Sequence, residues 1–398
     1  MKSITLNLPA ETSRDVRETL LQNIYWIDRA VRQVDLVRGN PLSLVVTCAD
    51  DGKADALEET ILSEVARMLS ASTAVGQRVV RENAGHRIPG LGADEVLREL
   101  SERGWVSEEV PGVSIHSGLM ADLYFGLERT FRRVGQKLGA REVRLPSLLG
   151  TETLLRAGYL RANAHQVNYV FHLHEDGPAV ARFAESCSPE SGNVRISGIP
   201  SSSSEPEAVL SPAACQPLYH MLSGQQLAQP FLVTGQVQCF RYESRATDGL
   251  RRAREYGVRE VVHVGCRSET DSFRERLLEA CWELVESFEL RGKLETASDP
   301  FFLDASAQYR VFQLAVECKH ELQLAVGSDG DSVAVASVNH HGDHFGRAWQ
   351  IRAEDGQIAQ SCCLGFGIDR WCLAVFSQFG FEPRTWPARL QKVLLSDD

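Results

Sequence analysis

The chain has 398 residues, with 42 Lys and Arg against 53 Asp and Glu and a formal net charge of −11. Its 43% apolar content suffices for a packed core and excludes a disordered chain, and no stretch approaches the roughly 20 apolar residues that a membrane span needs. The acidic balance counts against a broad nucleic-acid surface, since Lys and Arg supply most phosphate affinity. The start, MKSITLNLPAETSRDV, lacks the basic and apolar segments of a secretory signal, so the expected location is cytoplasmic, and the ten irregularly spaced cysteines are expected as thiols or metal ligands and not disulfides.

Length predicts two domains, an α/β unit over residues 1–110 and a larger unit over 111–398. In the first, strands are predicted at Ile4–Leu8 and Leu42–Thr47, with helices at Ser13–Val37, Ala54–Ser70 and Ala93–Arg103, Ser13 serving as an N-cap. This unit is acidic and without sustained heptads, and a docking or dimer-supporting role is its ordinary reading. A helix over Leu119–Gly139 buries Leu119, Leu123, Leu127, Phe131 and Val134 on one face, and Glu142–Pro146 follows as a strand stopped by proline. Ser186–Pro212 turns rich in Ser, Pro and Gly and is expected as a surface excursion. Phe240–Glu243 and Glu260–Val264 are predicted as antiparallel strands joined by a loop carrying Arg245, Arg251, Arg252, Arg254 and Arg259. So many guanidiniums in an acidic protein call for a local anion, the planar fork of Arg being suited to phosphate oxygens, or for a set of surface ion pairs.

Ser361–Trp371, SCCLGFGIDRW, with Gly365, Gly367 and Arg370, resembles the third signature motif of class II aminoacyl-tRNA synthetases, and the strand opening Phe240-Arg241-Tyr242-Glu243 resembles the second. The Leu119–Gly139 helix and the strand after it resemble the first. With SPAACQPLY (Ser211–Tyr219), DPFF (Asp299–Phe302), KHEL (Lys319–Leu322), VASVNHHGDHFG (Val335–Gly346) and FSQFGFEPRTWP (Phe376–Pro387), the chain is similar to the amino acid:[carrier protein] ligases, truncated homologues of the atypical zinc-dependent seryl-tRNA synthetases, over roughly residues 112–395. It departs from them at RANAHQV after Gly158-Tyr159-Leu160, and at Leu303–Ser306 where the ligases continue with Gly-Arg. The resemblance implies a class II synthetase-like antiparallel sheet flanked by helices and a homodimer; with the smaller N-terminal α/β domain, which lies outside the resemblance, the expected fold class is α+β.

It also implies roles. Arg241 would be catalytic, gripping the ATP α-phosphate and the amino-acid carboxylate, and Glu243 would accept from the adenine amino group. Tyr256 would stack on adenine, Arg252 would reach the triphosphate, Arg370 would cap the γ-phosphate, and Gly365 and Gly367 would let backbone approach the nucleotide. Cys215, Glu260 and Cys363 would hold Zn2+ and leave a fourth position for the substrate amine; Cys362 stands next to Cys363, and only strand alternation chooses between them. Asn339 and His341 would complete the amino-acid pocket with Arg241 and the metal ligands, while the NHHGDH run as a whole is not taken as the zinc site. The expected cofactors are Zn2+, ATP and Mg2+. The expected reaction is activation of a small amino acid as its adenylate and transfer to the phosphopantetheine thiol of a holo carrier protein, with Arg274 and Arg276 as a candidate docking patch. The alternative is a zinc-dependent seryl-tRNA synthetase-like enzyme; tRNA is disfavoured by the absence of a basic helical arm.

Overall fold

A computed structural model gives the fold and describes all residues except 10, 11, 13, 38, 40, 50–53, 73–76, 86–89, 187–202, 298–316, 328–330 and 396–398. The Ser13 cap, the DPFF block with the residues after it, and most of the Ser186–Pro212 segment lie outside the described residues.

At the N-terminus β1 (Lys2–Asn7), β2 (Val31–Val37) and β3 (Ser43–Cys48) form an antiparallel sheet in the order β1-β3-β2, packed with helices Arg14–Asn23 and Ala54–Ser72. Leu20, Ile24, Leu44, Val46 and Ile61 are fully buried in its own core. The single helix expected over Ser13–Val37 is corrected here: it ends at Asn23, and the chain re-enters as β2. Val31 and Val34 are both buried, a spacing of three that reads as helical in sequence. The register of β2 on β3 shifts between Val31 and Gln33, and the extra residue of such a bulge turns a period of two into three.

The remaining strands are β4 (Val79–Glu82), the β5–β6 hairpin (Val106–Val110, Val113–His116), β7 (Arg141–Glu142), β8 (Leu148–Gly150), β9 (Tyr169–Val170), β10 (Ala208–Leu210), β11 (Phe231–Phe240), β12 (Glu255–Gly265), β13 (Gly292–Thr296), β14 (Lys319–Ala325), β15 (Ser332–Gly342) and β16 (Gln360–Gly367). Eight of them build one sheet in the order β4-β13-β14-β15-β16-β12-β11-β7, antiparallel throughout except for β7 on β11. This is the α+β architecture expected from the sequence. The strand pair expected at Phe240–Glu243 and Glu260–Val264 is longer and displaced: β11 ends at Phe240, so Arg241 and Glu243 sit in the turn beyond it and not on a strand.

β4 is an edge of this large sheet, and helix Ala93–Glu102 adds Val96 and Leu100 to the large core. We therefore propose a domain boundary between residues 72 and 77, upstream of position 110. The two units touch beside the β11–β12 loop: Arg245 Nη1 donates to Val31 O at 2.6 Å, and Trp26 meets Tyr242 and His165 edge-on at 5.9 and 5.1 Å between centroids.

One face of the large sheet carries helices Gly118–Lys137, Arg267–Ser287 and Ile368–Phe379 over the larger core. Phe131 stacks on Phe366 at 4.3 Å and both adjoin Trp371, all fully buried. The opposite face holds a second core with Cys215, Tyr219, Trp349 and Cys363, under the short helices Gln216–Met221 and His344–Trp349. Phe131→Ala is expected to cost about 3–5 kcal/mol in urea unfolding, because the stacked pair cannot collapse into the gap; a loss below ~1 kcal/mol would contradict this packing.

Candidate active site

The site lies on the second face, and strand alternation selects its residues. In β16, Ser361, Cys363, Gly365 and Gly367 share that face, while Cys362 points into the helical core, its Sγ 3.7 Å from Thr270 O. On either side, Cys363 pairs with Val262 of β12 and Asn339 of β15, and Gly365 pairs with Glu260 and Ser337. Cross-strand partners face the same way, so Glu260, Asn339 and Cys363 meet on one patch of sheet. Asn339 Nδ2 donates to Cys363 Sγ at 3.7 Å and to Ser337 Oγ at 3.2 Å.

Cys215, at the start of helix Gln216–Met221, drops onto this patch. Its Sγ, Cys363 Sγ and a ring nitrogen of His341 lie within 4.8 Å of one another. His341 Nε2 is 3.8 Å from Cys363 Sγ, and its Nδ1 is 3.1 Å from Ser361 Oγ and 3.3 Å from Tyr219 Oη. Glu260 is 7% exposed, and its Oε2 is buried without a hydrogen-bond partner among the described residues. Burial pushes its pKa up to about 7, against an opposing interaction with the Cys363 thiol. Cys363 is held well above the usual thiol range by Cys215, by burial and by Glu260. A buried orphan carboxylate oxygen on a carboxyl beside the Cys363 thiol, with Cys215 converging on the same thiol, is a donor set of the kind that takes a divalent cation. The neighbouring polar residues are dispersed: His340 Nε2 faces Asp271 at 2.9 Å on the opposite face, His344 Nε2 meets Ala157 O at 3.1 Å, and Asp343 pairs with Arg347.

From this patch the floor continues over glycine. A Cβ at Gly365 would come no closer to the protein than 3.7 Å, from Val258 Cγ1, and one at Gly367 no closer than 3.5 Å, from Val335 O. Among the described residues nothing forbids a side chain there, and the bare backbone leaves space above the sheet. Beyond the glycines stands Tyr256, four residues from Glu260 along β12 and so about 13 Å away at roughly 3.3 Å per residue. Arg241 lies over Tyr256, its Cζ 5.8 Å from the ring centroid, with Nε donating to Pro212 O at 3.1 Å. Tyr256 raises the pKa of Arg241 further, with Tyr159 and Glu243 adding to it against burial.

Glu243 and Arg252 face each other loosely at 4.0 Å, with 10% and 14% of their side chains exposed. Arg370, in the first turn of helix Ile368–Phe379, donates through Nε to Arg251 O at 2.8 Å and through Nη1 to Ala334 O at 3.0 Å, tying the arginine loop to β15. The structure thus brings Arg241, Glu243, Arg252, Tyr256, Gly365, Gly367 and Arg370 to one end of the groove, and Cys215, Glu260, Asn339, His341 and Cys363 to the other.

Sequence reasoning missed the supports. Tyr219 stands four residues after Cys215 on one helical turn, and Ser361 two before Cys363 on one strand, so both were within reach of simple periodicity. Tyr159 Oη donates to Gln166 Oε1 at 3.3 Å, and Gln166 O accepts from Tyr242 N at 2.8 Å, so the divergent RANAHQV stretch walls the pocket near Arg241. Asp369 Oδ2 accepts from Gly257 N at 2.8 Å and pins β12 to the helix after β16. Arg274 and Arg276 form no joint patch: Arg274 pairs with Glu275 at 2.7 Å, while Arg276 donates to Leu138 O and lines a separate cavity of about 610 Å3 with Arg141 and His263.

No protein-family model matches the chain. An amino acid–[acyl-carrier-protein] ligase (ligase 2) of Bradyrhizobium diazoefficiens is 30% identical over 297 residues, covering 71% of this chain and 83% of that protein. The chain belongs to the class II aminoacyl-tRNA synthetase-like family of ligases. This ligase is also 28% identical over 393 residues to the type-2 serine–tRNA ligase of Methanopyrus kandleri, covering 94% of this chain and 69% of that one. Among solved structures, M. kandleri seryl-tRNA synthetase in complex with an Aquifex aeolicus tRNA matches its fold with a TM-score of 0.71 at 24% identity, over 98% of this chain and 77% of the other.

The pKa of Glu260 is raised from 4.5 to about 7 by folding, so in the metal-free protein its contribution to stability is greatest where the carboxyl is neutral and is lost as pH rises through that window. A loss of about 3 kcal/mol between pH 5 and 8 is expected from urea unfolding. Glu260→Gln should flatten it; an unchanged slope would show that the carboxyl is not held in this environment.

Proposed function

We propose that this ligase activates an amino acid with ATP and passes the aminoacyl group to the phosphopantetheine thiol of a carrier protein. The reading rests above all on the shared face of β12 and β16, which aligns a metal-competent pocket and an open glycine floor ending at Arg241 and Tyr256. The amino-acid carboxylate oxygen attacks the α-phosphorus and pyrophosphate leaves; the thiol sulfur then attacks the carbonyl carbon and AMP leaves. Arg241 neutralises the carboxylate and the α-phosphate as charge builds between them. Tyr256 stacks on adenine and Glu243 accepts its amino hydrogen, while Arg252 and Arg370 hold the triphosphate with its Mg2+.

Cys215, Glu260 and Cys363 are the zinc ligands in this reading, supported by the convergence of the two thiols and by the orphaned oxygen of Glu260, whose carboxyl adjoins the Cys363 thiol. When bound, the metal supplies a Lewis-acidic anchor for the substrate amine. Asn339, through Cys363, positions the thiolate edge of the pocket. The Tyr159–Gln166 wall is where the choice among small amino acids is made. A homodimer follows from the likeness of helix Gly118–Lys137 and β7 to the first class II motif; Phe125 on that helix is 60% exposed. No helix among the described residues is long and apolar enough to cross a membrane.

One observation favours a second reading: the match to a serine–tRNA ligase spans 94% of this chain and so includes N-terminal residues. In that reading the same adenylate is passed to a tRNA ribose hydroxyl. The carrier reading is favoured by the acyl-carrier-protein ligase relatives, 83% and 78% of whose lengths are matched, and by the net charge of −11. The ligase is expected to exchange pyrophosphate into ATP with a small amino acid and no tRNA, and Arg241→Ala to slow exchange roughly 10²–10³-fold. Labelled amino acid should then appear on a holo carrier as a hydroxylamine-labile thioester. Label found in total tRNA and absent from the carrier would select the second reading.

A further inference from the structure

Three ligands of the proposed metal are two thiols and a carboxylate, yet the donor atoms that lie together at the thiols include those of a different residue, His341. Cys215, His341 and Cys363 place their donor atoms within 4.8 Å of one another. The 3.8 Å from His341 Nε2 to Cys363 Sγ is close to the edge of a tetrahedral zinc site, about 3.6 Å for a Zn–S bond of ~2.3 Å and a Zn–N bond of ~2.0 Å. Resting on the metal reading above, we propose that His341 Nε2 is a fourth protein ligand, closing the coordination shell while no amino acid is bound. The substrate amine then enters by displacing an imidazole.

The rest of the pocket is built for that orientation. His341 Nδ1 lies 3.1 Å from Ser361 Oγ and 3.3 Å from the hydroxyl of Tyr219, which itself donates to Ser361 Oγ at 3.2 Å. Two hydroxyl oxygens at Nδ1 offer acceptors for an Nδ1–H, the tautomer in which Nε2 keeps its lone pair on the side of the Cys363 thiol. Phe345 lies against the ring at 4.8 Å between centroids and stacks on Tyr219 at 4.0 Å, so the imidazole is held from its side as well. The register of β15 on β16 shifts between His340 and Gly342, where the chain turns His341 toward the site while His340 faces Asp271 on the other side. The incoming ammonium group gives up its proton to the released imidazole and coordinates as a neutral amine, so the exchange of one neutral nitrogen donor for another leaves the charge on the ligand set unchanged. The device keeps the metal fully coordinated until a ligand with an amine arrives, and makes amine affinity depend on a residue that the carboxylate-binding end does not touch.

Zinc K-edge X-ray absorption on the full chain, stripped and reloaded with zinc alone, tests this. Wild type should show two sulfur and two lighter neighbours with the outer-shell scattering of one imidazole. His341→Gln should retain zinc, lose that scattering and bind zinc at least tenfold more weakly in chelator competition. Adding the amino acid that supports pyrophosphate exchange should remove the imidazole signal from wild type. Zinc held by two sulfurs with no imidazole scattering in wild type would overturn the inference and leave the metal reading standing. Full zinc retention by both Cys215→Ser and Cys363→Ser would overturn the metal reading itself.

Discussion

The pairing of β12 with β16 decides, residue by residue, which groups share the groove. Val262 opposite Cys363 and Glu260 opposite Gly365 put a carboxylate, a thiol and a glycine floor on one face. A slip of one residue would bury Cys363 among the helices and bring Cys362 and the bulk of Leu364 and Phe366 onto the site. The register is held by what lies behind it: Phe366 stacked on Phe131, and Gly257 bonded to Asp369. The helical core therefore sets the active-site geometry through the sheet, and the site in turn carries an unfavourable element, a carboxyl oxygen buried with no donor. Such a group costs roughly 1–3 kcal/mol unless a ligand satisfies it, and the proposed metal reading rests on this oxygen as well as on the cysteines.

The two ends of the groove differ in how they are held. The metal-competent end is built on strands and one short helix, and its cysteine and glutamate donors are buried while His341 is half-buried. The other end stands on the turn after β11 and the arginine loop, and is fastened by backbone acceptors: Pro212 O for Arg241, Arg251 O and Ala334 O for Arg370. The N-terminal unit braces that same turn through Arg245 and through Trp26 against Tyr242. Its acidic sequence suggested a docking or dimer-supporting module, and its contact is with the loop that carries the arginines.

Much of this was legible in the sequence because glycine, arginine and cysteine at fixed offsets on strands leave a plain pattern. The Ser361–Trp371 stretch announced the glycine floor, and alternation sorts Cys363 from Cys362 once β16 is in register. What was not legible was irregular. The bulge in β2 gave Val31 and Val34 a helical spacing, and the end of β11 at Phe240 lay inside a run that still reads as strand. His341 was placed near the reacting groups by resemblance, but its approach to the thiols depends on a second register shift, and on Tyr219 and Ser361 arriving from elements far apart in sequence.

The central claim is that the carboxylate of the amino acid attacks the α-phosphorus of ATP above the Gly365–Gly367 floor. Supplying the substrate amino acid with 18O in its carboxylate, ATP, and hydroxylamine as acceptor, then reading the nucleotide by mass spectrometry, tests it directly. The account predicts AMP carrying one 18O atom and unlabelled pyrophosphate. ADP as the product, or AMP without label, would contradict it.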